Sequence, residues 1–248
     1  MKSNKEKIIE CFHAVKALGY VKSNRKNNTG IGKTFEDYVG VIENNLDEPD
    51  LYGYEIKSHR EEASSYITLF TKAPTFPPSA NAYLKDKYGI PYEENQSLKK
   101  LHTSMFANKF NTSNGKFSFK LINDTNGFIK IGIYDIETKQ LIDDNVGYTY
   151  ESIDSILRKK LKSLFYVSAK REYRGNDEFF YFDKAEIYSK PSLTKFLNLL
   201  NNGLIMYDIR IGSYKSGRYY GKPHDHGSGF RILEANIRLL YEEYEAIE

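Results

Sequence analysis

Cysteine is nearly absent. The 248 residues contain one, Cys11, which excludes an internal disulfide framework and fits a reducing cytoplasm. It sits among Ile8, Ile9, Phe12 and Val15 at helical spacing, the setting of a packed residue and not of a reactive thiol. Long hydrophobic runs are missing as well. No apolar stretch approaches the length that crosses a bilayer, so no membrane partner is expected. The opening residues, Lys2-Ser3-Asn4-Lys5-Glu6-Lys7, lead into an amphipathic stretch and not into a signal-peptide core. Repeats, low-complexity tracts and linkers are also lacking. Neither sign of charge dominates: 36 Lys and Arg stand against 33 Asp and Glu, a formal net charge of +3, which by itself identifies no nucleic-acid partner. With 40% apolar and 28% charged residues, the expectation is a soluble, cytoplasmic globular protein long enough to bury a sizeable core.

The distribution of charge says more than its sum. Tyr20 to Phe35 carries Lys22, Arg25, Lys26 and Lys33 with no acid. Ser155 to Arg171 carries Arg158, Lys159, Lys160, Lys162, Lys170 and Arg171, again with no acid. Ile209 to Leu233 holds Arg210, Lys215, Arg218, Lys222 and Arg231 against Asp225 alone. Blocks of this kind neutralise phosphates and release counterions; solvated basic faces are the alternative for any one of them. Between them lies an acidic run, Glu36 to Asp50, with six carboxylates and no base.

The pattern along the chain is mixed α/β. Residues 4–18 read as a helix with Ile8, Phe12, Val15 and Leu18 on one face and Gly19 as its stop. Gly30 to Ile42 reads as a second helix. Tyr54 to Ser58 and Tyr66 to Phe70 look like strands before a break at Pro74, Pro77 and Pro78. Phe117 to Ile122 and Phe128 to Tyr134 flank Asn126-Gly127 as a hairpin. Glu151 to Leu161 should be helical, Leu164 to Ala169 and Phe179 to Tyr188 extended, and Pro191 to Leu200 helical with proline in its first turn. Ile205 to Ile211 reads as a strand and Ile232 to Ile247 as a closing helix. One continuous α/β unit, with two lobes around a cleft, is the simplest organisation.

The chemistry centres on Glu48-Pro49-Asp50-Leu51-Tyr52-Gly53-Tyr54-Glu55-Ile56-Lys57. On a strand, residues two apart share a face, so Glu55 and Lys57 project together while Tyr54 and Ile56 face packing. A tight turn at Gly53 brings the Asp50 carboxylate beside Glu55. Adjacent carboxylates disfavour each other's ionised forms unless a cation sits between them, and Mg2+, with its preference for hard oxygen ligands and retained waters, suits that role. Water activated there attacks phosphorus, and Lys57 orients it and offsets charge developing on the phosphate.

Pro49-Asp50, Glu55 and Lys57 resemble the signature of the PD-(D/E)xK nucleases, and Thr29-Gly30-Ile31-Gly32-Lys33-Thr34-Phe35-Glu36 resembles the glycine-containing helix start of their MutH-like branch. In length and order of motifs the whole chain closely resembles the MvaI/BcnI family of restriction endonucleases; the likeness to the repair nickase MutH is confined to core segments. The resemblance implies an α/β, restriction-endonuclease-like fold with a mixed sheet flanked by helices. It implies a single nuclease domain over residues 1–248, with a catalytic lobe centred on about residues 25–75 and a DNA-recognition lobe toward about residues 190–235. It further implies a monomeric type II enzyme that hydrolyses double-stranded DNA with Mg2+, one strand at a time, at a short pseudopalindromic CC-W-GG-type site. Asp50, Glu55 and the Ile56 carbonyl become metal ligands and Lys57 the catalytic lysine. Glu36 matches a further acidic residue near the metal, a helix-surface carboxylate being its alternative. Lys160 matches a second lysine near the site, with phosphate contact or plain solvation as alternatives.

Base readout is expected toward the C-terminus. Asp208 and Arg210 alternate on a strand, Tyr214, Arg218, Tyr219 and Tyr220 open a loop, and His224-Asp225-His226-Gly227-Ser228-Gly229-Phe230-Arg231 follows. His224 and His226 are two apart around an Asp, but no third metal ligand lies at a recognisable spacing. A glycine-flanked loop handing Arg and His to base edges is the better account: arginine reads guanine O6 and N7, and a carboxylate accepts from cytosine N4. Lys33, Lys160, Asp208, Arg210, Tyr214, His224, His226 and Arg231 are the candidate DNA contacts. Two readings compete, a MutH-like nickase activated by partner proteins and a DNA-binding protein without catalysis, for which paired carboxylates at metal spacing have no use.

Overall fold

The computed structural model describes residues 2–27, 29–41, 48–61, 65–113 and 115–247. Of the features expected above, Ile42 at the end of the second helix and Glu43 and Asp47 of the acidic run lie outside them. In chain order the elements begin with α1 (Asn4–Lys16), β1 (Val21–Lys22), α2 (Gly30–Val39), β2 (Glu55–Arg60), β3 (Tyr66–Thr71) and α3 (Ala80–Tyr88). Next come β4 (Ile90–Tyr92), β5 (Asn95–Met105), β6 (Asn111–Ser113), β7 (Phe117–Asp124), β8 (Phe128–Asp135) and β9 (Leu141–Thr149). The last part holds α4 (Tyr150–Lys159), β10 (Ser163–Arg174), β11 (Asp177–Pro191), α5 (Leu193–Asn201), β12 (Ile205–Ser213), β13 (Pro223–Asp225), β14 (Gly229–Leu233) and, after a 3-10 turn over Glu234–Leu240, β15 (Tyr241–Ile247). The chain divides into a first unit of residues 1–64, 155–192 and 238–248 and a second of residues 65–154 and 193–237.

The first unit is built on a mixed sheet in the order β1-β11-β10-β2, with β15 also paired to β11. β10 and β2 run parallel and the other pairs antiparallel. A parallel pair needs a long crossover, which the stretch of chain between these two strands supplies. α1 starts on a reciprocal cap: Ser3 Oγ accepts from Glu6 N (3.2 Å) and Glu6 Oε2 accepts from Ser3 N (2.6 Å). Its buried face is Ile8, Phe12 and Val15. Leu18, expected on that face, lies past the helix end and is 57% exposed. α2 begins at Gly30, where a Cβ would lie 2.2 Å from the Arg25 carbonyl oxygen, so only glycine lets the chain turn back so closely. α1 packs on α2 and β11, and α2 packs on β2. Phe12, Phe35, Ile56, Phe165 and Phe182 form the heart of the core, each contributing about 1.5–3 kcal/mol by burial.

The second unit holds two antiparallel sheets, β3-β14-β12-β5-β4 with β13 beside β12, and β6-β7-β8-β9. Along β12 every residue is buried except Arg210. α3 and α5 pack against β12, over a cluster of rings that includes Tyr148, Tyr207, Phe196 and Phe230. The hairpin at Asn126-Gly127 forms as β7–β8, with Gly127 at φ +99°.

Several elements differ from expectation. Ile232 to Ile247 is not a helix: it is the end of β14, the 3-10 turn and β15. Tyr241 and Tyr244 sit three apart at helical spacing, but pairing with the β11 edge and ring contacts of both with Tyr188 prevail over that local pattern. α3 carries no clear helical pattern in the sequence because two of its buried residues, Asn81 and Lys85, are polar. β5 and β9 were hidden by the charged and polar residues set among their buried positions. No described helix is long and apolar enough to cross a membrane.

Candidate active site

The segment before β2 folds back on itself. Leu51 and Tyr54 exchange backbone hydrogen bonds (Leu51 N to Tyr54 O, 3.1 Å; Tyr54 N to Leu51 O, 2.8 Å) around Tyr52 and Gly53, both at positive φ (50° and 81°). Two left-handed residues in a two-residue connection are the signature of a type I′ hairpin turn, in which glycine relieves the strain at the second position. The turn returns Asp50 to the side of β2, and its Oδ2 accepts from Ile56 N at 2.8 Å. In an extended strand a residue's N–H and C=O point to the same side. The Ile56 N–H goes to Asp50 and not to β10, so the Ile56 carbonyl faces the same open edge of β2 as the Asp50 carboxylate.

Glu55 and Lys57 share a face as their spacing requires: Lys57 Nζ donates to Glu55 Oε1 at 2.5 Å. Ile56, between them, is buried in the core. The two carboxylates differ in solvation, for Asp50 is exposed and Glu55 is 2% exposed. Burial raises the Glu55 pKa. Lys57 opposes the rise, Asp50 adds to it, and Lys160 opposes it again. Lys160, just past the C-terminal end of α4, holds its Nζ 3.9 Å from Glu55 Oε2. That oxygen is buried and accepts no hydrogen bond. Among the described residues no group of three His, Cys, Asp or Glu is placed to hold a metal. The donors that do converge are all oxygens: an exposed carboxylate, a buried carboxylate oxygen without a donor, and a backbone carbonyl at the strand edge. Such a set fits a hard divalent cation that keeps several waters.

Two other candidates take quieter places. Glu36 is half-buried on α2, the helix that packs on β2. Lys33, also on α2, pairs with Asp37 at 2.7 Å along its own helix.

A second polar cluster lies within the second unit. A cleft of about 480 Å³ is lined by His102, Thr103, Ser104, Asp208, Arg210 and His226. Asp208 accepts from Arg210 Nε at 2.7 Å and from Ser104 Oγ at 3.1 Å, and Arg231 Nε stands 2.9 Å from its Oδ2. The side chain of Arg210 is 49% exposed, that of Arg231 13%. Arg231 is therefore not the loop residue expected: it belongs to β14, paired with both β12 and β3, and its guanidinium donates to Thr68 Oγ1 (2.7 Å) and the Gly227 carbonyl (3.3 Å). Tyr214 stacks on His224 (centroids 4.1 Å apart, 9° between planes), His224 lies 4.1 Å from His226, and His226 meets His102 edge-on at 6.1 Å. Burial lowers the His102 pKa, and His226, Lys100 and Arg210 lower it further, which favours a neutral ring. His102, Thr103 and Ser104 carry no signal in the sequence because β5 itself carries none.

The model of the MvaI/BcnI restriction endonuclease family matches residues 9–241. Among solved structures the chain is similar to a complex of restriction endonuclease MvaI with cognate DNA substrate, at 35% identity over 100% of both chains and a TM-score of 0.89. It is also similar to restriction endonuclease MvaI in the absence of DNA, at 34% identity over 100% of this chain and 99% of that one, with a TM-score of 0.66. No curated protein sequence matches. A family match across nearly the whole chain, on a fold that presents the signature carboxylates and lysine together at one strand edge, identifies the chain as a member of the MvaI/BcnI family of restriction endonucleases.

Proposed function

We propose that this restriction endonuclease is a type II, Mg2+-dependent enzyme that hydrolyses phosphodiester bonds in double-stranded DNA at a short pseudopalindromic CC-W-GG-type site. The observation that carries the reading is the meeting of Asp50, Glu55 and Lys57 at the edge of β2, with one Glu55 oxygen buried and without a donor. DNA as the partner is carried over from the similar MvaI structure, which holds cognate DNA substrate.

Asp50, Glu55 and the Ile56 carbonyl are the ligands for the cation. Bound there, Mg2+ supplies Lewis acidity toward the phosphate and water of lowered pKa. Lys57 Nζ, anchored by Glu55, holds a donor where water approaches phosphorus and offsets the negative charge that grows on the phosphate oxygens. Lys160 adds a second positive charge on the far side of Glu55. Glu36 tunes the site from α2.

Base readout falls to the cleft of the second unit. Arg210 is the exposed donor held in line by Asp208, a geometry suited to guanine O6 and N7. Arg231, His226 and His224 frame it, Tyr214 stacks behind His224, and Lys33 contributes to phosphate neutralisation. The enzyme acts as a monomer on one strand at a time, in the cytoplasm. Digestion of plasmid DNA with Mg2+, followed by sequencing of the ends, tests the reading directly. Discrete ends at one short sequence, abolished in Asp50→Ala, are the expected result. Absence of cleavage, or cleavage without a common sequence, overturns it.

A further inference from the structure

Behind the readout cleft runs a chain of hydrogen bonds that begins in the core. Tyr207, fully buried on β12, donates from its hydroxyl to Asn81 Oδ1 at 3.1 Å. Asn81, 5% exposed on α3, donates from its amide to Asp225 Oδ2 at 2.6 Å. The other oxygen of Asp225 accepts from Gly227 N (3.0 Å) and Ser228 N (2.7 Å), which folds residues 225–228 into a turn. That turn grips the main chain of Arg210 from both ends: Ser228 Oγ accepts from Arg210 N at 2.8 Å, and His226 N donates to Arg210 O at 2.8 Å. The last link is the backbone of the exposed arginine in the cleft.

We propose that Asn81 is a positioning residue for base readout, whose amide clamps Asp225 and thereby sets where Arg210 and His226 present their side chains to DNA. This rests on the proposed role of the cleft. Asn81 touches no base. A buried amide on a helix is an expensive choice where an apolar residue would pack, and its two partners consume both its acceptor and a donor. The chemistry also dictates how the clamp can be inverted. With Asp at position 81 the carboxylate still accepts from Tyr207, and with Asn at position 225 the amide oxygen still accepts from Gly227 and Ser228 while its NH2 donates to position 81.

The experiment measures cleavage of duplex oligonucleotides that carry the site found by end sequencing, and of each single-base variant, under Mg2+. In Asn81→Asp two carboxylates face each other, and the ratio of kcat/KM for the site over its variants should fall by about tenfold or more, the lower range for one lost bidentate contact. In Asn81→Asp/Asp225→Asn the ratio should return to within about threefold of the parent value. Asn81→Ala, which removes the clamp without adding charge, carries the same expectation as Asn81→Asp and serves where that variant fails to fold. Melting temperatures and the salt slope of non-specific DNA binding are recorded alongside. Lower melting temperatures with unchanged discrimination, or a double variant no better than Asn81→Asp, overturn the proposal. Arg210→Ala is the control for the cleft itself: if it leaves discrimination unchanged, the cleft reading fails, whatever Asn81 does.

Discussion

Lys57 reaches back along its own strand and places its Nζ 2.5 Å from Glu55 Oε1, giving a buried carboxylate its closest cation. In Lys57→Met, Lys160, at 3.9 Å, is the cation left beside Glu55 among the described residues, so its carboxyl should titrate higher still. Single-turnover cleavage should fall by about 10²-fold or more, while binding to duplex DNA by gel shift stays close to that of the parent. Lys57→Arg should recover little, because the guanidinium is larger and does not release a proton near neutral pH. Recovery to near the parent rate would reduce Lys57 to a neutraliser of charge.

Asp50 separates charge from structure. Its carboxylate accepts the Ile56 N–H while lying exposed, and an amide oxygen can accept the same bond. Asp50→Asn should therefore abolish cleavage with stability changed by less than about 0.5 kcal/mol. Asp50→Ala should also abolish cleavage and in addition lose about 1 kcal/mol with the missing cap of that N–H. Equal melting temperatures for the two variants would show that the bond to Ile56 contributes nothing to the fold.

Asp143, in the second unit, offers a test of stability against pH that leaves the chemistry alone. Burial raises its carboxyl, but the hydroxyls of Tyr83 and Tyr88, the Asn145 N–H and the Lys87 ammonium together bring the pKa well below the ordinary 3.8. A depressed carboxyl contributes stability that is fully present above the unfolded value and is lost as pH falls through the folded one. The parent protein should thus begin to lose this contribution only below about pH 4. Asp143→Asn should cost about 2–3 kcal/mol at neutral pH and flatten the acid limb of a urea-midpoint titration. An unchanged acid limb would show that Asp143 is equally solvated in the folded and unfolded chains.

The candidate active site was legible because its signals are local. Alternation along Glu55, Ile56 and Lys57 and the glycine at position 53 are read within one turn and one strand, and the structure has both. The hairpin at Asn126-Gly127 and the helices at Asn4 and Gly30 belong to the same class. The polar cleft of the second unit is assembled from β5, β12 and the turn between β13 and β14, far apart in sequence, and its architecture is non-local. Gly229 to Arg231 looks like loop from its glycines, yet it is held in a strand, Gly229–Leu233, between β12 and β3. Asn81, at the centre of a buried network, carries no periodic signal because its partners lie 126 and 144 residues away.

Arg210 and Arg231 share one carboxylate, and their burial divides their labour. Arg210 is 49% exposed with one ion pair, whereas Arg231 is 13% exposed, with Asp208, Thr68 and Gly227 all about its guanidinium. A side chain already committed to three partners has less left to give a base. Arg210→Ala should therefore cost about 1–3 kcal/mol of discrimination at one base pair, with little change in melting temperature. Arg231→Ala should lower stability as well, because Asp208, 6% exposed, is left buried with one cation in place of two. Affinities for the site and for each single-base variant at two salt concentrations, read beside melting curves, separate the two roles. If Arg210→Ala instead weakens binding evenly across sequences and shallows the salt dependence by about one unit, Arg210 contacts phosphate. Readout would then lie outside this cleft.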